Sequence, residues 1–205
     1  MKINSNFIAM IYDPIFYFAL RPIRLKVMYE LIEYKGKDIL DLCCGTGNQL
    51  KILSKNGFEH LYCLDNSRAM LNRARKKQFN INAYHEDATR THLRDNSFDV
   101  IIVSFALHEK DRKTEEALLK EAHRIIKTNG LLLIVDYIFD TQSSGFTKML
   151  INLIERIAGG EHFINFKSYM KNHGISSLIK EEKFKLIKHC RMTSGTVILA
   201  LYKKI

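Results

Sequence analysis

Asp41-Leu42-Cys43-Cys44-Gly45-Thr46-Gly47 decides the fold of this 205-residue chain. A strand-like run, Lys37 to Leu40, leads into it, and a helix-like run from Asn48 to Lys55 leaves it. The next strand-like run, Leu61 to Leu64, is closed by Asp65. A strand, a glycine turn, a helix and a second strand ending in a carboxylate make half of a nucleotide-binding α/β unit. Gly45 and Gly47 carry no Cβ to hold the backbone away from a ligand. Asp65 stands where a ribose with two free hydroxyls arrives.

The spacing separates two cofactors. A dinucleotide fingerprint reads GxGxxG and seats a pyrophosphate on the helix N-terminus. Here the third glycine position is Leu50, and an additional carboxylate, Asp41, lies four residues before Gly45. That carboxylate repels a pyrophosphate and suits a cationic amino-acid moiety. S-adenosylmethionine (SAM) has one sulfonium, one ammonium and no phosphate. With these residues the chain resembles the class I SAM-dependent methyltransferases, whose first motif reads DxxxGxG. The alternative is an ordinary tight βα turn of another α/β protein.

Composition sets the outer limits. The length fits one domain with a single core, and 46% hydrophobic with 26% charged residues marks a globular chain. Both prolines, Pro14 and Pro22, lie near the N-terminus, so no Pro-rich linker divides the chain. The formal charge of +10 permits attraction to nucleic acid or to an anionic membrane surface, though the lysines are scattered. Cys43, Cys44, Cys63 and Cys190 show no CxxC spacing, so neither a metal site nor a disulfide framework is expected, which fits a reducing cytoplasm. The apolar stretch Phe7 to Leu20 contains Asp13 and Pro14 and falls short of the roughly 20 apolar residues a span needs. No signal peptide is expected either.

Along the chain, Pro14 is expected to start a helix and Pro22 to interrupt it, with Ile23, Val27, Leu31 and Ile32 at helical spacing before Tyr34-Lys35-Gly36. Ser67 caps a helix holding Met70, Leu71 and Ala74, and Ile81 to His85 reads as the third strand. Val100 to Val103 reads as a buried parallel strand. A helix from about Lys113 to Lys127 is ended by Asn129-Gly130, and Leu131 to Val135 is a further strand, closed by Asp136. Phe146, Met149, Leu150, Leu153, Ile154 and Ile157 lie on one helical face between Gly145 and Gly159, and read mainly as core packing. A second helix is expected over Asn165 to Lys180, and the chain ends in strands Phe184 to Cys190 and Thr196 to Tyr202, joined at Ser194-Gly195.

The resemblance extends beyond the first turn. Glu121-Ala122-His123-Arg124-Ile125-Ile126-Lys127-Thr128-Asn129-Gly130 is similar to the methyltransferase EAxRxLKPGG segment. Glu86-Asp87-Ala88 through Ser97-Phe98-Asp99 resembles the GDAxxLPFxDxSFD segment of ubiquinone and menaquinone biosynthesis methyltransferases. Tyr12-Asp13-Pro14 is similar to these and to phospholipid methyltransferases. The resemblance implies a Rossmann-like α/β fold: a seven-stranded, mostly parallel sheet, helices on both faces and an antiparallel C-terminal hairpin. It implies one domain over residues 1–205, with a helical N-terminal cover at 1–36 and a helical substrate-covering insertion at 137–182.

It also implies site residues. Asp41, Gly45 and Gly47 would hold the methionine end of SAM, Asp65 the ribose hydroxyls, and Asn66 would neighbour the adenine. Asp87 and Ala88 would meet the adenine edge, although Asp87 reads equally well as a turn residue. Ser104 and Phe105 would line the methyl-transfer site. Candidate bases are His108, His162 and Tyr12. His108 follows the fourth strand on the ligand edge, but a loop histidine is as a rule surface-polar. Gly159-Gly160-Glu161-His162-Phe163 reads either as a mobile lid or as a helix-ending turn. The expected activity is methyl transfer from SAM to a small, partly apolar acceptor of quinol, lipid or amine type. Nucleic-acid or protein methylation is the alternative suggested by the charge, and Ser104-Phe105-Ala106-Leu107 lacks the Asn-Pro-Pro-aromatic grip of base-amine enzymes. A non-catalytic SAM binder is the third reading.

Overall fold

A computed structural model describes residues 5–76 and 80–205, with side chains of the first helix described from residue 18 onward. Seven strands make a mostly parallel, Rossmann-like sheet. The chain gathers into two compact units, Met1–Ala88 and Thr89–Ile205.

The first unit runs α1 (Ser5–Glu30), a 3-10 turn (Ile32–Tyr34), β1 (Ile39–Leu42), α2 (Asn48–Lys55), β2 (Leu61–Asp65), α3 (Arg68–Arg75) and β3 (Asn82–His85). Its strands are parallel in the order β3-β2-β1, with Asp41 opposite Cys63 and Asp65 opposite His85. Every residue of β1 is buried, which is why this strand reads as a continuous run rather than an alternation. Ser67 caps α3 as expected, its hydroxyl accepting from the Met70 amide. The N-terminal expectation is corrected: α1 is continuous through both prolines. An interior proline forfeits one helical hydrogen bond and crowds the preceding turn. Burial of Ile23, Val27, Met28 and Leu31 along one stripe holds the segment helical beyond Pro22. Ile32, expected on that stripe, is 39% exposed, because the chain has tightened into the 3-10 turn.

The second unit runs β4 (Phe98–Ser104), α4 (Arg112–Ile125), β5 (Ile126–Tyr137), α5 (Gly145–Ala158), α6 (Gly160–Lys171), a 3-10 turn (Gly174–Ser177), β6 (Phe184–Met192) and β7 (Val197–Lys204). Its strand order is β4-β5-β7-β6. β4 and β5 are parallel, with Ser104 opposite Val135, whereas β7 is antiparallel to both β5 and β6. The EAxR segment is a clamp at the base of this unit. Arg124 holds Glu121 through Nε and Nη2 at 2.9 and 2.6 Å, and Glu121 also accepts from the Thr91 amide and hydroxyl. Burial opposes ionisation of Glu121, but these hydrogen bonds win and hold its pKa down to about 2.

Two boundaries and one helix face differ from expectation. Asn129-Gly130 does not end α4; the helix stops at Ile125 and residues 126–130 already belong to β5. Gly130 is needed there for close approach, since a Cβ would lie 2.8 Å from the Lys127 carbonyl oxygen and 3.1 Å from that of Asp99. α6 begins at Gly160 rather than Asn165, so His162 sits in its first turn, and the chain turns directly from α5 into α6 at Gly159. The apolar face of α5 is not core: Phe146, Met149, Leu150, Leu153 and Ile157 are all exposed. The buried side of α5 carries Ile151 and the carboxylate Glu155 instead.

Candidate active site

In the first unit the glycine turn is locked from two directions. The amides of Cys43 and Cys44 both donate to the Leu64 carbonyl. The Gly45 amide donates to Asp65 Oδ2 and the Ser67 amide to Asp65 Oδ1, each at 2.8 Å. Asp65 is therefore fixed by backbone donors before any ligand arrives. Gly45 (φ 53°) and Gly47 (φ 70°) take left-handed backbone, which side chains resist, and open space faces the missing Cβ of Gly45. Gly47 then starts α2.

Asp41 lies in the floor of this turn, 2% exposed, and its Oδ1 has no hydrogen-bond partner. Burial, and then the charge of Asp65, push its pKa up to about 7 against the opposing pull of Arg24. A buried carboxylate oxygen without a donor is costly, and a cationic ligand group would relieve that cost. Cys44 is no nucleophile: its hydrogen bond with Cys63, and burial, push its thiol far up.

In the second unit, a polar centre forms at the C-terminal ends of β4 and β5. Asp136, fully buried, accepts at Oδ2 from the amides of Leu107 (3.0 Å) and His108 (3.4 Å). Its Oδ1 accepts from the Tyr137 amide at 2.8 Å and from His108 Nδ1 at 2.6 Å. His108 is thus tethered at backbone and ring, and is 3% exposed rather than the surface-polar loop residue its position suggested. Burial favours its neutral ring, but the charge and hydrogen bond of Asp136 outweigh this and raise its pKa. Its other nitrogen, Nε2, lies 3.8 Å from Glu155 Oε1.

His162 reaches the same place from α6. Its Nδ1 is 3.1 Å from Glu155 Oε2 and its Nε2 is 3.3 Å from Glu109 Oε1. Glu109 and then Glu155 lift its pKa to about 9. Aromatic rings surround His108: Tyr137 at 4.7 Å between centroids, His162 at 5.8 Å, Phe166 at 6.1 Å and Phe105 at 6.4 Å. Phe105 itself holds φ 51°. For a bulky residue that left-handed backbone costs roughly 1–2 kcal/mol, a strain typical of functional sites.

A family model described as "Methyltransferase domain" matches residues 39–130. The demethylmenaquinone methyltransferase of Clavibacter sepedonicus is 26% identical over 181 residues, covering 80% of this chain and 72% of that protein. The ubiquinone/menaquinone biosynthesis C-methyltransferase UbiE of Haemophilus ducreyi is 24% identical and covers 80% and 71%. This chain is a SAM-dependent methyltransferase. The fold of the methyltransferase also matches magnesium protoporphyrin IX methyltransferase from Synechocystis with bound SAH, at TM-score 0.67 and 14% identity over 90% of this chain and 83% of that one.

The methyltransferase brings some sequence candidates together and leaves others apart. Asp41, Gly45, Gly47 and Asp65 share the turn after β1. Asn66 uses its carbonyl to accept from His85 Nε2 at 3.0 Å, leaving an exposed side chain. Asp87 is exposed just past β3, while Ala88 is buried. Ser104 is half-buried at the end of β4. His108 and His162 meet in one centre. Tyr12 lies outside the residues whose side chains are described. Three members of the second centre escaped the sequence reading as site residues: Asp136, Glu155 and Glu109. Glu155 carried a usable signal, as a carboxylate on the α5 side opposite an unbroken apolar stripe.

Proposed function

We propose that the first unit holds the methyl donor and the second receives a small, partly apolar acceptor with an ionisable hydroxyl, of quinol type. Asp41 would pair with the donor's ammonium, with Gly45 and Gly47 giving the methionine end its close approach. Asp65 would take the ribose hydroxyls, Asn66, Asp87 and Ala88 the adenine side, and Ser104 with Phe105 the transfer region. When bound, SAM supplies an electrophilic methyl on a sulfonium, with a neutral thioether as leaving group. The unpartnered, buried Oδ1 of Asp41 and the preset Asp65 support this assignment.

The observation that carries the acceptor class is a buried, tethered imidazole ringed by Phe105, Tyr137 and Phe166. Aromatic walls suit a planar apolar ring, and His108 and His162 supply proton-handling groups where its hydroxyl ionises. The rest is approach geometry and exclusion of water. The relatives named as demethylmenaquinone methyltransferases point to the same acceptor chemistry. Tyr12 would serve as a further candidate base. The test is a panel of reduced quinones, lipids and amines with labelled SAM. Transfer to reduced quinones is expected, and label appearing only in lipids or amines would overturn the acceptor class.

Replacing Asp65 removes the ribose contact and frees the Gly45 and Ser67 amides together. Asp65→Ala is expected to weaken SAM binding by about 1–3 kcal/mol, the scale of lost charged hydrogen bonds. Calorimetry with SAM reads this directly, and an unchanged Kd removes Asp65 from the donor site.

An anionic bilayer is the surface on which we place this enzyme, on the cytoplasmic side. The exposed Phe146, Met149, Leu153 and Ile157 of α5 support it, together with the +10 charge. No helix among the described residues is long and apolar enough to cross a membrane. Co-sedimentation with phosphatidylglycerol vesicles is expected, and to be reduced by Phe146→Ser with Ile157→Ser. Equal recovery of both proteins in the supernatant would refute membrane docking through this face.

A further inference from the structure

The geometry points to a divalent transition-metal site formed by His108 Nε2, Glu155 and His162 Nδ1. One nitrogen or oxygen from each residue lies within 4.8 Å of the other two. His162 Nδ1 lies 3.1 Å from Glu155 Oε2 and His108 Nε2 lies 3.8 Å from Glu155 Oε1, so the two imidazoles face the two oxygens of one carboxylate. Ligand atoms at about 2.0–2.2 Å from a tetrahedral metal sit about 3.3 Å apart, so the three atoms need only small adjustments to enclose one ion.

The surroundings of the three donors suit a bound ion. Glu155 is 1% exposed, and its Oε2 and His162 Nδ1 both lack a hydrogen-bond partner. The two atoms are 3.1 Å apart. In the metal-free protein the His162 ring pairs with Glu155 as an imidazolium, and a bound ion would take the place of that proton. The outer nitrogens are arranged to match: His108 Nδ1 donates to Asp136 at 2.6 Å, and His162 Nε2 lies 3.3 Å from Glu109. A carboxylate behind each ligating imidazole fixes its tautomer and ring plane and raises its basicity. Two imidazoles and one carboxylate suit Zn²⁺, Co²⁺ or Fe²⁺ rather than Mg²⁺ or Ca²⁺, which prefer oxygen ligands. Three protein ligands leave a position open for water or an anionic acceptor oxygen. That last role rests on the acceptor reading above, whereas metal binding does not. The cysteine spacing gave no sign of this site because its donors are imidazole and carboxylate.

The test uses the full chain, stripped with chelator and titrated with Co²⁺ and then Zn²⁺ in the absence of SAM and acceptor. One ion per chain is expected, with a cobalt d–d spectrum of low coordination number that Zn²⁺ abolishes, and a metal-dependent rise in Tm. His162→Gln and Glu155→Gln should each weaken Zn²⁺ binding more than the roughly 10–100-fold typical of losing an outer carboxylate. Cys43→Ser and Cys190→Ser should leave it unchanged. Absence of one-to-one binding, or affinity unaltered in His162→Gln and in Glu155→Gln, overturns the site. Because no methyl transfer is read, a wrong acceptor class leaves this result intact. Conversely, full quinol methylation by chelator-stripped, metal-free enzyme would keep the acceptor reading and remove the catalytic role.

Discussion

Asp41→Asn is expected to move stability and cofactor affinity in opposite directions. Asp41 is a buried acid whose pKa stands at about 7 against an ordinary 3.8. A carboxyl with a raised folded-state pKa contributes stability that is complete below its unfolded pKa. That stability is lost as pH rises through the folded value. The cofactor-free protein therefore loses stability between about pH 4 and pH 7, where the carboxyl has ionised in the unfolded chain and is still held protonated in the folded one, and the loss persists above pH 7. A neutral amide of the same shape removes it. At pH 8 the cofactor-free variant should be more stable by about 2 kcal/mol, equivalent to a Tm rise of roughly 4–8 °C for a chain of this size, and at pH 4 the gain should vanish. On the proposed pairing of Asp41 with the donor's ammonium, SAM binding needs the ionised carboxylate, so the wild-type Kd should worsen as pH falls from 8 to 6, approaching tenfold per unit below 7. The variant should bind SAM about 10–100-fold more weakly at pH 8, through loss of a charge-assisted contact, with little pH dependence left. Melting curves and calorimetry across pH 4–8 measure all of this. A variant that gains stability yet keeps its affinity would move the ammonium away from Asp41.

The same residue shows why the proposed donor cluster around the glycine turn was legible in sequence and the proposed acceptor cluster around His108 was not. Asp41, Gly45, Gly47 and Asp65 are read from one short window because a single βα turn brings them together. The turn's own backbone donors fix the cluster, with the Gly45 and Ser67 amides on Asp65. The acceptor half is assembled from distant segments. His108 follows β4, Asp136 ends β5, Glu155 lies within α5 and His162 opens α6. No local spacing links them, and two signals pointed the wrong way. The apolar stripe of α5 outweighed its opposite side, hiding the inward position of Glu155. The Gly159-Gly160 pair read as either a mobile lid or a helix-ending turn; it is the turn, but neither reading foresaw that the chain re-enters a helix at once and turns His162 back onto Glu155. α1 misled through proline, whose local cost is smaller than the gain from burying Ile23, Val27 and Leu31.

Asp136→Asn tests the acceptor half with the donor half as its internal control. Asp136 is fully buried, and both its oxygens are occupied as acceptors: Oδ2 by two amides, Oδ1 by the Tyr137 amide and His108 Nδ1. An asparagine presents one NH2 in place of an oxygen, so in either orientation a donor faces donors. With NH2 toward the backbone, the Leu107 and His108 amides lose their acceptor, at a cost of about 1–3 kcal/mol. With NH2 toward the ring, it donates to Nδ1 and drives the imidazole proton to Nε2, the nitrogen that must stay open toward Glu155. Either result spoils the centre without touching Asp41 or Asp65. Methyl transfer should fall by about 10²-fold or more, the usual weight of a positioned proton-handling group, while the SAM Kd stays within about threefold. The deciding readout is the ¹⁵N signal of His108, which should show Nδ1 protonated in the wild type and lose that signature in the variant. A purely structural role would lower Tm and leave tautomer and turnover together unchanged in the folded fraction, and that outcome would detach His108 from the chemistry.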